Sequence, residues 1–521
     1  MLFYLISCAS PRMPEGGPKD LRVPVLVASN PINGQRNFNG KKITLYFDEQ
    51  VTENNIMSQL LITPYLKNLP RTQAVKNTEI IEFDDPLPPN TTISLNFREG
   101  IKDVHEGNTA QKLRLVFSTG PEIDSMEVSG HINELLTKKE GINVTVALWK
   151  TSDTLNVSKQ KPIYFTKTDT SGNYYIGNIK EGKYEILAFE DRNNNLQYEN
   201  KVELVGYKET LLSLAADSAN RRADFEIANN DAEAPHRLDD AVKGWTYKIT
   251  YNETIAKATF TLQENYKIYQ RLSKNTVTLI SHKPITDTLH AILNLTDSSG
   301  NTGQDTVKFR FADKRDTVKA KNSSRQPVFK LAQSANPFMP GKTINLEFSD
   351  SVKTYNLNGI ALSRDSGKFE PLTDYKWNST GDVLMIYPKP FSKNLRLYTE
   401  KGAFTIMNDS INKRTDTLTI TPADEGNYGV INCSALNESG PFIIQLLNDR
   451  YEVIDQVANQ KTHVFRYIVP GTYYLRLIED ANNNGQWDSG NYPRHTLPEK
   501  TKVYKDKIAI KANWEIEEIK L

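Results

Sequence analysis

The chain has 521 residues, 38% hydrophobic and 24% charged, and Lys+Arg 64 against Asp+Glu 63 leave a formal net charge of +1. That length calls for several domains, and so balanced a charge offers nucleic acid no global field. No apolar run approaches the roughly 18 residues that a membrane-spanning helix needs.

In chain order, the first signal is Leu5-Ile6-Ser7-Cys8. Leu, an aliphatic residue, a small residue and Cys form the pattern of a bacterial lipobox, whose thiol accepts diacylglycerol. Residues 1–7 are expected to be a truncated signal peptide, since they carry no Lys or Arg and only a short apolar run. Residues 8–21 are expected to be the lipidated cysteine and a Pro/Gly-rich tether that stays out of helix and strand. Two or more acyl chains suffice for stable membrane attachment. With Cys8 acylated, Cys433 has no partner in the chain, so no disulfide framework is available.

Beyond the tether, alternating runs dominate: Ile43–Phe47, Ile93–Phe97, Leu113–Phe117, Val307–Phe311 and Ile344–Phe348 each place apolar side chains on one face. The spacing predicts only one short helical turn near the front, around Glu53–Leu60. Within 22–121, the strand Leu45–Val51 is followed by Asp85-Pro86-Leu87-Pro88-Pro89-Asn90-Thr91, the turn Ile101-Lys102-Asp103-Val104-His105-Glu106-Gly107-Asn108 and the exit Val116-Phe117-Ser118-Thr119-Gly120. This series resembles the bacterial Ig-like domain first met in S-layer proteins, although Thr92-Ile93 stands where that family usually has an aromatic. Ile249–Ile255 with Asp297-Ser298-Ser299-Gly300-Asn301, and Leu346–Val352 with Tyr387–Phe391, echo the pattern. Residues 229–322 and 323–424 are therefore read as two further Ig-like sandwiches.

A second kind of domain occurs twice. Gly182–Asn195 recurs as Gly471–Asn484 at one constant offset, with Gly, Tyr, Glu, Asp and three Asn kept in place, which marks an internal duplication. Upstream of the first copy lies Thr168-Asp169-Thr170-Ser171-Gly172-Asn173-Tyr174-Tyr175-Ile176. It is similar to the carboxypeptidase-regulatory-like, transthyretin-type sandwich; the second copy lacks that hairpin. The resemblance implies non-catalytic modules at 122–228 and 425–521. The fold class expected for the whole chain is all-β, a tandem array of Ig-like and transthyretin/prealbumin-like β-sandwiches.

The duplicated Asp/Asn runs carry the candidate chemistry. Asp480, Asn482, Asn484, Gln486 and Asp488 stand at alternate positions with Gly485 sixth, which resembles an EF-hand-type calcium loop. Asn491 occupies the place of the final bidentate Glu. In the first copy Asp191, Asn193, Asn195 and Glu199 fit, with Leu196 where the glycine would be. Asx-rich turns capped by their own side chains are the alternative reading of both loops. The seven histidines form no metal-ligand pair at helical spacing, no nucleophile-elbow, zincin or P-loop motif occurs, and no enzyme activity is expected. Asp followed by Ser or Thr and an aliphatic or Met, as at Asp124-Ser125-Met126, Asp287-Thr288-Leu289, Asp316-Thr317-Val318 and Asp409-Ser410-Ile411, is similar to an O-glycosylation acceptor of Bacteroidota and also suits the start of a strand.

With Pro14-Glu15-Gly16-Gly17-Pro18-Lys19-Asp20 after Cys8, the chain resembles multidomain outer-membrane lipoproteins of Bacteroidota. The resemblance implies a lipid-anchored, non-catalytic structural or scaffolding subunit of an envelope complex, with an outer-membrane transport or β-barrel assembly machine as host. It would sit at the cell surface or on the periplasmic face. The alternatives are a surface adhesin or glycan-binding lipoprotein, and a cryptic enzyme or hydrolase accessory chain.

Overall fold

A computed structural model describes residues 19–215, 222–312, 328–331, 337–365, 367–407 and 410–521. Among them, strands recur from end to end, and α-helix is confined to Ile56–Gln59. Period-two alternation of β-branched and aromatic residues leaves each strand one face to bury, and paired sheets bury it. The chain divides into two compact units, 1–229 and 230–521.

The first unit begins with a sandwich. One sheet runs in the order Leu26–Asn30, Lys42–Phe47, Thr78–Glu82, Arg71–Val75; the other pairs Leu61–Thr63, Thr92–Asn96 and Arg114–Ser118. Ile43, Leu45, Phe47, Ile81, Ile93, Leu95, Leu115 and Phe117 meet in its core, each such side chain contributing roughly 1.5–3 kcal/mol by leaving water. The Asp103 turn closes as the sequence suggests: Oδ1 accepts the backbone N–H groups of His105, Glu106 and Gly107, and Oδ2 that of Asn108 at 2.7 Å. Burial opposes the charge, but these four donors outweigh it and hold the carboxyl at about 2.

One expectation needs correction. Leu45–Val51 is not a single strand. Lys42–Phe47 ends at a turn, and Val51–Glu53 pairs with Ile101–Asp103 outside the first sheet. At the break, the Asp48 carboxylate accepts the Val25 N–H at 2.8 Å, tying the turn to the residue that leads into Leu26–Asn30. The other two echoes break likewise, into Thr246–Tyr251 and Ile255–Leu262, and into Ile344–Phe348 and Val352–Tyr355. The motif therefore marks a change of sheet. Thr92–Asn96 also departs from simple alternation, because Thr92 and Ser94 on its outer face are buried.

What covers that face is the second sandwich. Its sheets run Asn173–Ile179, Met126–Glu134, Phe225–Ile227 and Tyr164–Lys167, Thr145–Lys150, Gly182–Phe189, Val205–Tyr207, with Leu212–Leu214 also on Gly182–Phe189. The Tyr65 N–H donates to the Ile163 carbonyl at 2.7 Å, Arg114 Nη2 donates to Asn178 Oδ1 at 2.7 Å, and the Arg114 guanidinium lies 5.4 Å from the Tyr175 ring centre.

The second unit holds three further cores, spanning Tyr247–Phe311, Phe329–Ile420 and Ile431–Ile519. The third and fourth sandwiches are joined by an Arg271–Asp382 ion pair. The fifth repeats the second strand for strand. Thr462–Ile468, Gly429–Ser434 and Glu515–Lys520 form one sheet, and Val453–Ala458, Phe442–Leu447, Gly471–Glu479 and Thr501–Val503 the other, with Ile508–Ile510 on Gly471–Glu479. Even the parallel pairing of first and last strands recurs. The sequence duplication is thus a duplication of topology.

Candidate cation-binding loops

The loop after Gly471–Glu479 curls around the enclosed carboxylate of Asp480. Asp480 Oδ1 accepts the Asn484 N–H at 3.0 Å and Oδ2 the Gly485 N–H at 2.9 Å. Asn482 Oδ1 accepts the Asn484 N–H at 3.0 Å, Asn484 Oδ1 accepts the Gln486 N–H at 2.7 Å, and both Asn amides donate to Asp488. Gly485 has φ 76, a left-handed backbone that glycine adopts without strain.

The first copy has the same wiring. Asp191 Oδ1 accepts the Asn195 N–H at 2.9 Å and Oδ2 the Leu196 N–H at 3.0 Å, while the Asn193 and Asn195 amides donate to Glu199 Oε1 at 2.9 and 3.0 Å. Leu196 takes φ 55 where the second loop has glycine.

Each loop is closed by a carboxylate that the sequence reading missed. Glu499 accepts the Ala481 N–H at 2.8 Å and the Asp488 N–H at 3.1 Å. Glu203 accepts the N–H groups of Arg192 at 3.2 Å and Glu199 at 2.9 Å, the equivalent two positions. Burial pushes both carboxyls above their usual range against these N–H donors, and the neighbouring Asp480 and Asp488, or Asp191 and Glu199, add to the rise. A fixed ligand spacing could not find them, since the second loop is longer before its closing Glu. The signal available was a Glu just before the next strand in both copies.

The donor set suits a hard cation. Asp480, Asn482, Asn484, Asp488 and Glu499 line one loop with oxygen donors of the kind calcium takes six to eight of, although the carboxylates of Asp480, Asp488 and Glu499 do not all lie within 4.8 Å of one another. Calcium binding would require the Asn482 and Asn484 amides to exchange their bonds to Asp488 for oxygen ligation.

Another acidic group lies in the third sandwich, where Asp231, Glu253 and Asp297 bring carboxylate oxygens within 4.8 Å of one another. It is the only such group of three among the described residues, and the sequence pointed only to Asp297, as part of a turn. The enclosed Asn230 beside it donates to the Ser489 carbonyl at 3.1 Å and accepts the Tyr492 N–H at 3.2 Å, pinning the segment that follows Asp488. Cys433 is buried, and desolvation pushes its thiol up to about 11, far from a reactive thiolate. His131 meets Glu140 at 2.9 Å with Asn133 Oδ1 at 2.8 Å and Asn173 Oδ1 at 3.2 Å also on its ring, and His290 meets Glu264 at 2.8 Å. Cys8, Asp316-Thr317 and Asp409 lie outside the described residues.

No helix among the described residues is long and apolar enough to cross a membrane. No curated protein matches the chain. Among solved structures, the Bacillus anthracis TIE protein is 11% identical with a TM-score of 0.13, over 97% of this chain and 75% of that one. The major pilin subunit BcpA of Bacillus cereus is 11% identical at TM-score 0.14, over 76% and 99%. The Bacteroides ovatus mixed-linkage glucan utilization locus protein SGBP-B is 12% identical at TM-score 0.18, over 72% and 89%. Likeness at that level says nothing of this chain's role. A family match is confined to the first sandwich, where residues 20–119 match the bacterial Ig-like domain.

Proposed function

We propose that the chain is a non-catalytic scaffold subunit of an envelope complex, anchored in the outer membrane through lipidated Cys8, with a transport or β-barrel assembly machine as its host. The observation that carries this reading is the docking of the first sandwich on the second. The linker between them is fixed by the Asn178 amide bond to the Asp124 carbonyl at 2.8 Å, alongside the Tyr65 and Arg114 contacts. Two sandwiches docked in this way present their surfaces at a set spacing and lose little freedom on binding. A glycan-binding role would want several aromatics exposed on one face; of the five Trp only Trp514 is exposed, and the exposed Tyr and Phe side chains are spread over four sandwiches.

Affinity purification from mildly solubilised membranes tests the proposal. A stoichiometric outer-membrane partner is expected, and Cys8→Ala should release the chain into the soluble fraction. Recovery of a solitary chain from crosslinked membranes would overturn the reading.

The two Asx loops are proposed to hold calcium as a structural clip. Their shared wiring supports this, including a closing Glu in each. A ligand that binds only the folded state adds about 2.7 kcal/mol at a hundredfold excess over Kd. The melting temperature should fall on chelation, and Asp480→Ala should remove most of that response. Identical melting curves with calcium and with chelator would leave the self-capped turn.

A further inference from the structure

The duplication supplies an internal comparison. The first Asx loop is clasped by two ammonium groups: Lys161 Nζ donates to the Asn195 carbonyl, and Lys167 Nζ donates to Asn194 Oδ1 at 2.6 Å. Lys167 ends the edge strand Tyr164–Lys167, and its charge lies within electrostatic reach of Asp191. In the second loop, amides take these places. Asn459, just past the equivalent edge strand Val453–Ala458, donates through Nδ2 to Asn483 Oδ1 at 2.8 Å. Gln456 Nε2 donates to the Gly485 carbonyl at 3.2 Å.

The two clasps are alike as hydrogen bonds and unlike as charges. Each loop's donors include three carboxylates: Asp191, Glu199 and Glu203 in the first, Asp480, Asp488 and Glu499 in the second. Lys161 and Lys167 set two positive charges against the first group, where Gln456 and Asn459 set none against the second. Fixed positive charge beside a loop repels an incoming cation, and the charge of the ligand set tunes calcium affinity over orders of magnitude. Lys161 also grips the backbone of Asn195, itself a candidate ligand, so the first loop is held in place by the chain's own cations.

Resting on the proposal that these loops hold calcium, we infer that the two copies have diverged in affinity and that Lys161 and Lys167 set the difference. The second loop is the tight site and fills first. The first is a weak site, whose calcium binds against two tethered ammonium charges. One duplicated motif thus responds to calcium at two concentrations, and the residues that separate them lie outside both Asx runs, on or beside the edge strand of each sandwich.

Hydrogen exchange of the full chain in mild detergent, followed separately over 191–199 and 480–488 as calcium is raised, tests it. Residues 480–488 should gain protection at a calcium concentration at least about tenfold below that needed at 191–199. Lys161→Met combined with Lys167→Met should lower the first loop's midpoint by about tenfold and leave the second's unchanged. The reciprocal Asn459→Lys should raise the second loop's midpoint, which keeps the test decisive if the double variant folds poorly. Equal midpoints in the wild type, a first loop that fills first, or midpoints indifferent to these substitutions would overturn the inference and leave calcium binding in place. Protection at neither loop at any calcium concentration would overturn the calcium reading, and this inference with it.

Discussion

Glu79 is the most poorly satisfied side chain in the first sandwich. It is fully enclosed, and neither carboxylate oxygen has a hydrogen-bond donor, while Glu53 beside it also buries an unpartnered oxygen. Burial first, then the Glu53 charge, lifts the Glu79 carboxyl to about 8. A folded-state value above the ordinary 4.5 means that the neutral form belongs to the native state. The associated stability is fully present below the ordinary value and is lost as pH rises through about 8, a span worth a few kcal/mol. Melting temperatures from acid to alkaline pH should decline in this window for the wild type, and Glu79→Gln should flatten the decline. An equal slope in both proteins would mean that Glu79 is not the group responsible. Thr78-Glu79-Ile80-Ile81-Glu82 does not alternate, so nothing in it foretold that Glu79 shares the inward face of Ile81. Asp480, Asn482 and Asn484 were legible because their contacts are local, whereas Glu203 and Glu499 close their loops from beyond the repeat.

At the scale of elements, the alternating runs gave strands close to their true bounds, Ile344–Phe348 among them. The break after Phe47 was hidden because Leu45, Phe47 and Val51 keep one parity through it, so the period continues where the backbone does not. Close approach between strands was equally silent. In Met126–Glu134, a Cβ on Gly130 would stand 2.1 Å from the Ala223 carbonyl oxygen, a backbone atom that cannot swing aside. The Ala223 N–H donates to the Ser129 carbonyl at 2.8 Å, so the two segments are laced together at that point. Gly130→Ala should therefore cost about 1–3 kcal/mol through forced backbone displacement, read as a lower denaturant midpoint for the second sandwich. A midpoint within error of wild type would show that the strands can part without penalty.

For the molecule as a whole, the succession of sandwiches was readable because each repeats a recognisable series of turns and strands. Their contacts were not, since a residue such as Arg114 or Asn230 carries no local pattern that names its partner. Asn230 shows the consequence most directly. Its enclosed amide joins the start of the third sandwich to Ser489 and Tyr492 of the fifth, immediately after the Asp480–Asp488 loop. The same loop is thus a candidate calcium clip and part of a domain junction. Asn230→Ala removes both bonds and leaves a carbonyl and an N–H to find new partners, at about 1–3 kcal/mol for each group that stays buried and unpaired. Hydrogen exchange should accelerate in residues 489–492 while the core strand Phe442–Leu447 stays protected, because the core of the fifth sandwich is its own. If calcium fills the loop, chelation should produce the same pattern in the wild type. Slow exchange at 489–492 in Asn230→Ala would show instead that the fifth sandwich holds this segment unaided.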